Sequence, residues 1–319
     1  MDIYLCTKPL QYFNVLNLPY DHRNTPRKLF WIPNFIGSDT FIENIRNYDK
    51  TWKDVVVVKN IRRFYVFLLL HRCQSVYTAY ESSTIFGLIR FLRRFEVFVF
   101  EEGASAYLKV NKKRNMIQKL LDHFLGVGDY FGGSKYVSRQ YLYYSVLLNK
   151  RYPECTTPIS EYSLSFRDAL INRLDYFFLL SESDCTYYKS IKGKKILIYI
   201  TDWVVRKEVL RYVSEVKSQY DIVFFKPHPK ILLQQYPDTI PGIITINSNV
   251  MVEMIFQLLL NNHNQLTIWH HSSNAVLYFL NVANVENMDE VFPNLISEDA
   301  KSFFDDFQQL TEDFKCITC

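Results

Sequence analysis

Short runs of β-branched and aromatic residues alternate along this chain with longer segments whose apolar positions recur every three to four residues. Runs at 3–6, 29–32, 55–58, 76–79 and 95–100 predict strands in the first half, and runs at 195–200, 222–225, 243–246 and 266–269 predict strands in the second. Between them the helical period predicts helices over 11–18, 40–46, 61–73, 83–94, 116–124 and 135–148, then 207–220, 250–260 and 273–280. Strands separated by helical lengths imply parallel sheets and the α/β class. Strand-to-helix steps are short, as in doubly wound units. A polar stretch at 149–160, carrying Pro153 and Pro158, breaks the rhythm and predicts a linker. Residues 1–155 and 156–319 are therefore expected to form two Rossmann-like domains flanking a cleft, each large enough to bury its own core. The acidic, aromatic end at 297–314 reads as a helix that packs back across the cleft.

Composition narrows the class. With 48% apolar and 22% charged residues, 23 Tyr and 25 Phe, disorder is excluded. The longest purely apolar run, 64–70, falls far short of the roughly 20 residues that span a bilayer, and no signal peptide is visible. Six cysteines are scattered without a disulfide framework, and the closing Cys316-x-x-Cys319 has no second pair; both fit a reducing compartment, and the cytoplasm is the expected location. The net charge of +4 is small but uneven, with Arg62-Arg63, Arg90, Arg93-Arg94 and Lys112-Lys113-Arg114 all in the first half. Mixed with Phe, Tyr and Leu, these charges suit a helix lying on an anionic membrane, although a solvated basic edge is the plainer reading. No recognition motif accompanies the charge, so nucleic acid is not an expected partner.

The sharpest chemistry lies at predicted strand ends. The strand at 222–225 stops at Lys226-Pro227-His228-Pro229, a stiff turn that aims an imidazole beside a cation, where α/β sheets open onto ligands. His228 there suits proton delivery or phosphate binding, and Lys226 supplies a positive charge. Ser272-Ser273 closes the strand at 266–269 and opens a predicted helix; two hydroxyls and free N–H groups at such a place could hold a phosphate, or simply cap the helix. Glu253, within the helix at 250–260, could accept hydrogen bonds from ribose hydroxyls. Asp202 ends the strand at 195–200, either as an N-cap or as a base. Glu101-Glu102-Gly103 ends the strand at 95–100, either as a solvated acidic turn or as paired carboxylates, one of them tuned for base chemistry. No glycine-rich nucleotide loop, Walker loop or Asp-x-Asp pair is present, so no metal or other cofactor is expected.

Taken together, Glu101-Glu102-Gly103, Lys226-Pro227-His228-Pro229 and Ser272-Ser273 resemble, in order and spacing, three signature motifs of bacterial sialyltransferases. The opening Tyr4-Leu5-Cys6-Thr7-Lys8-Pro9-Leu10-Gln11 resembles the N-terminal strand and loop of glycosyltransferase family 52. The chain is similar over nearly its full length to streptococcal capsular polysaccharide sialyltransferases. The resemblance implies a GT-B fold, CMP-sialic acid as donor, no metal, and inverting transfer to a terminal galactose of a surface glycan such as a capsular repeat, the acceptor being lipid-linked in some cases, with an α-2,3 linkage as the expected product. It implies His228 as general acid and phosphate ligand, with Lys226, Pro229, Glu253, Ser272 and Ser273 on the donor side and Thr7 and Gln11 on the acceptor side. The base is Asp202 or an acid of the Glu101-Glu102 pair, and relatives that form dimers suggest a homodimer. The competing expectations are a GT-B transferase for a UDP- or GDP-sugar and a non-catalytic scaffold of capsule assembly.

Overall fold

The computed structural model describes residues 1–19, 25–35, 37–108, 114–173, 181–202, 206–229, 241–292 and 298–318. The chain divides into two compact units, Met1–Asn34 with Ser38–Ala169, and Phe35–Gly37 with Leu170–Cys319. The first unit therefore runs 14 residues beyond the predicted boundary (169 − 155).

In the first unit, β1 (Asp2–Cys6), β2 (Arg27–Trp31), β3 (Asp54–Val57), β4 (Ser75–Thr78), β5 (Glu96–Phe100), β6 (Val137–Leu142) and β7 (Ile159–Glu161) form one parallel sheet in the order β3-β2-β1-β4-β5-β6-β7. Helices α1 (Pro9–Leu16), α2 (Ser38–Tyr48), α3 (Ile61–Leu70), α4 (Thr84–Arg93) and α5 (Met116–Leu125) alternate with the strands. β1 is buried along its whole length, as a central strand covered on both faces must be. Strand order reverses beside it, between β1 and β4, the position where doubly wound sheets leave a crevice. The predicted helix at 135–148 is corrected. Its first half is β6, a mixed polar and apolar segment paired with β5, and only Ser145–Arg151 is helical. β7 begins at the end of the predicted linker and pairs with β6, extending the sheet.

The second unit repeats the plan. β8 (Lys195–Ile200), β9 (Ile222–Lys226), β10 (Ile244–Thr245), β11 (Gln265–His270) and β12 (Asn284–Asn287) run parallel in the order β10-β9-β8-β11-β12, and the reversal falls between β8 and β11. Leu197, Tyr199, Val209, Val213, Val223 and Trp269 pack together under the helix Lys207–Val216, whose apolar residues recur at helical spacing. Each of the valine and leucine side chains among them contributes about 1.5–3 kcal/mol through burial. The polar edge strand β12 carried no apolar run and is read only from its pairing with β11. The last helix, Glu298–Thr318, belongs to this unit and buries Phe307, Leu310 and Phe314, with the Phe307 ring 6.0 Å from that of His270.

Candidate functional site

In the first unit, the carboxyl ends of β1, β4 and β5 present Thr7, Tyr80 and Glu102 side by side at the point of strand reversal. The Thr7 N–H donates to Gln11 Oε1 at 2.7 Å, closing the first turn of α1. Tyr80 Oη lies 2.9 Å from Thr7 Oγ1, accepts from Gln11 Nε2 at 2.9 Å, and donates to Glu102 Oε1 at 3.5 Å. Burial raises the Tyr80 pKa, with Glu102 adding to the shift, so the phenol stays protonated and remains a donor. Lys8 forms an ion pair with Glu102. Burial alone would lower the Lys8 pKa, but the Glu102 carboxylate and Tyr80 outweigh it and hold the ammonium above its ordinary value. The result is a compact polar cluster in which the Glu102 carboxylate is the partly exposed acid, paired with Lys8.

Glu101 is placed differently from its neighbour, because successive residues along an extended strand face opposite sides. It is wholly buried, and its Oε2 accepts from Tyr107 Oη at 2.6 Å and from the Tyr143 N–H at 2.8 Å. Its own N–H is met by the Tyr141 carbonyl and Tyr162 Oη, and its carbonyl accepts from Asn14 Nδ2 at 2.7 Å. Glu101 braces the ends of β5 and β6. As a candidate base it is corrected, since neither oxygen reaches the rim, and Glu102 is the carboxylate of the pair that does.

In the second unit, strand register aligns the candidates. Lys226 pairs with Ile200 and Ile200 pairs with His270, a continuous row across β9, β8 and β11. His228, Asp202 and Ser272 each stand two positions beyond that row. The Thr201 N–H donates to the Lys226 carbonyl at 3.1 Å, which carries the alignment past the strand ends. His228 and Pro229 are half-buried and follow a buried Pro227.

Lys226 does not behave as the expected fixed charge at the nucleotide. Only 3% exposed, its Nζ donates to the carbonyls of Pro227 and Ser248 at 3.0 and 2.8 Å, tying the Pro-His-Pro turn to the loop before the helix Val252–Leu260. Burial pulls its pKa down to about 7, partly offset by Glu253. Glu253, in the first turn of that helix, is itself buried, and burial pushes its pKa up to about 7 against the pull of Lys226. The pair supports the turn from beneath.

The serines also differ from expectation. The segment after them is a six-residue 3₁₀ helix, Asn274–Phe279, too short for the extended α-helix whose dipole was to assist phosphate binding. Ser273 Oγ accepts from the Ala275 N–H and its own N–H donates to His270 Nδ1 at 3.1 Å, an ordinary cap. Ser272 takes up a left-handed conformation, φ 47°, and its Oγ donates to Asp289 Oδ2 at 3.5 Å.

Asp202 is not a helix cap: the helix after it begins at Lys207 with Arg206 as its cap residue. Its Oδ2 accepts from Arg206 Nη2 at 2.6 Å. Arg206 lies 3.7 Å from Asp289 Oδ1, which accepts from His271 Nδ1 at 2.8 Å, and His271 Nε2 stands 3.0 Å from Tyr199 Oη. A carboxylate can only accept, so Nδ1 is a ring nitrogen that carries a proton toward Asp289. Arg206, His271 and Asp289 were not singled out from the sequence. They come from separate segments, and only the sheet brings them together; the one legible hint was that 271 adjoins the serine pair. Among the described residues, no group of three His, Cys, Asp or Glu side chains is arranged to hold a metal ion.

No family model matches this chain, and no curated protein matches it. Solved structures do. UDP-GlcNAc 2-epimerase of Methanocaldococcus jannaschii in complex with UDP-GlcNAc and UDP aligns with a TM-score of 0.57 at 14% identity, over 91% of this chain and 83% of that one. The Neisseria meningitidis UDP-GlcNAc 2-epimerase bound to UDP-GlcNAc aligns at 0.52 and 12% identity, over 98% and 92%. Arabidopsis thaliana UGT89C1 complexed with UDP aligns at 0.50 and 8% identity, over 98% and 93%. At these identities the likeness is one of fold, and the fold is GT-B, built from two Rossmann-like units.

Proposed function

We propose that this protein is an inverting, metal-independent glycosyltransferase that moves sialic acid from CMP-sialic acid to a terminal galactose of a bacterial surface glycan. The observation that carries the reading is the common register level of Asp202, His228 and Ser272 at the switch point of the second unit. The motifs quoted from the sequence supply the donor class. The acceptor hydroxyl attacks the anomeric carbon as the bond to the CMP phosphate oxygen breaks. Asp202 takes the hydroxyl proton and His228 delivers one to the departing phosphate. Ser272 and Ser273 exchange their internal contacts for phosphate oxygens, which adds donors where charge grows. Glu102 and Tyr80 meet the acceptor; Thr7 and Gln11, expected as acceptor ligands, are buried and instead hold Tyr80 in place behind them.

Removing an acid catalyst typically costs two or more orders of magnitude in rate. Replacing His228 by Ala is therefore expected to lower CMP release from CMP-sialic acid, with lactose as acceptor, by roughly a hundredfold. Turnover near that of the parent protein would refute the assignment.

A second reading takes a UDP-sugar as donor, because the epimerase structures that share the fold hold UDP-GlcNAc. Calorimetry with CMP and UDP in parallel separates the two: heat with UDP alone overturns the CMP reading. Heat with CMP but no release of CMP on adding acceptor favours a scaffold.

A further inference from the structure

Away from the candidate site, the outer surface of α3, α4 and α5 departs from what a solvated surface requires. α4 lies between the other two in contact with both, and the Phe91 and Phe124 rings stand 5.9 Å apart. α4 buries Phe86, Gly87 and Ile89 yet turns Ile85, Leu88, Phe91 and Leu92 outward, so it is apolar on both sides. α5 inverts the usual pattern. Its buried position is Asp122, which pairs with Arg114 at 2.8 Å, whereas Ile117, Leu120 and Phe124 are 71%, 71% and 73% exposed. A helix facing water carries polar residues there, and contiguous exposed apolar surface marks an interaction site.

Charge selects the occupant. Exposed cations border this surface: Arg62 and Arg63 on α3, Lys119 on α5, and Arg72 and Arg94 just past the ends of α3 and α4. The single acidic residue of the three helices is the buried Asp122. A second copy meeting this face through a two-fold axis would oppose like charges, whereas lipid phosphates complement them. Among the described residues, no helix is long and apolar enough to cross a membrane. We propose that this face docks on an anionic lipid bilayer, with the outward side chains of α4 and α5 in the acyl boundary and the bordering cations at headgroup phosphates. The docking does not depend on the transfer chemistry.

The test is flotation of the full chain with vesicles of equal parts phosphatidylcholine and phosphatidylglycerol, against vesicles of phosphatidylcholine alone. The protein is expected to float with the anionic vesicles, to stay behind with the neutral ones, and to lose about tenfold in binding at high salt. Leu120→Asp with Phe124→Asp is expected to reduce flotation by a similar factor, as is Arg62→Glu with Arg63→Glu, each with an unchanged melting temperature. Failure of the parent protein to float at low salt overturns the proposal, as does undiminished flotation of both variants. A concentration-dependent dimer without flotation, dissolved by the Leu120 and Phe124 changes, assigns the face to a second copy and overturns it equally.

Discussion

His271 donates from Nδ1 to Asp289 Oδ1 at 2.8 Å, and the same carboxylate oxygen lies 3.7 Å from Arg206, which holds Asp202. One buried carboxylate thus orients both the strand end that carries Asp202 and the one that carries Ser272. Removing one partner of a buried charged network leaves the others uncompensated, which costs about 3–5 kcal/mol. Asp289→Ala is expected to lower the urea unfolding free energy by that amount. A loss below about 1 kcal/mol, the scale of an exposed ion pair, would show that the network is solvated in the working protein.

Glu101 and Glu102 are adjacent in sequence and opposite in role. Glu101→Ala deletes a carboxylate whose hydrogen bonds are buried, and hydrogen bonds to charged groups are each worth about 1.5–3 kcal/mol. It is expected to destabilise the first unit by at least that much. Glu102→Gln removes one charge of a partly buried ion pair with Lys8 but keeps a polar amide at the rim, so its melting temperature should fall less than that of Glu101→Ala while acceptor KM rises. Equal melting temperatures for the two variants would contradict this division.

The Lys226 and Glu253 pair predicts a pH dependence of stability. Between the ordinary carboxyl value of 4.5 and about 7, folded Glu253 keeps a proton that the unfolded chain releases, so stability falls as pH rises through that window. Between about 7 and 10.5, the unfolded chain keeps a proton that folded Lys226 has lost, so stability rises again. The pair's contribution is therefore lowest near pH 7. The melting temperature of the parent protein minus that of a Glu253→Gln, Lys226→Met double variant should pass through a minimum there; a difference that is flat from pH 5 to pH 9 would refute it.

Asp202 and Glu102 compete as the base, and each is held by a cation, Arg206 or Lys8. With Asp202 as base, Asp202→Asn is expected to lower kcat by about two orders of magnitude or more and leave CMP affinity nearly unchanged. Glu102→Gln should act mainly on acceptor KM. Reversal of the two patterns would move the base to the first unit.

Much of the fold was legible because helical and strand periods differ and the chain keeps to them. The strand at 195–200 has its predicted limits, and the helix over 61–73 begins where expected. The failures share one cause. β6 and β12 gain their extended state from neighbouring strands, and neither polar β12 nor the mixed sequence of β6 declares it locally. The same holds at the site: the carboxyl-end positions of Asp202, His228 and Ser272 follow from where strands stop, whereas the burial of Glu101, Lys226 and Glu253 depends on what covers them.

Local pattern alone determined that this chain is α/β, that its strands run parallel in two sets, and that acids, a histidine and paired serines fall at strand ends. That much follows because apolar periodicity and turn residues are properties of contiguous segments. Only the tertiary structure decided which of two adjacent glutamates reaches the rim, that Lys226 is drawn inward onto carbonyls, and that Asp289 joins Arg206 to His271. Those outcomes depend on desolvation and on partners brought from distant segments, and neither is encoded in the spacing of residues along the chain.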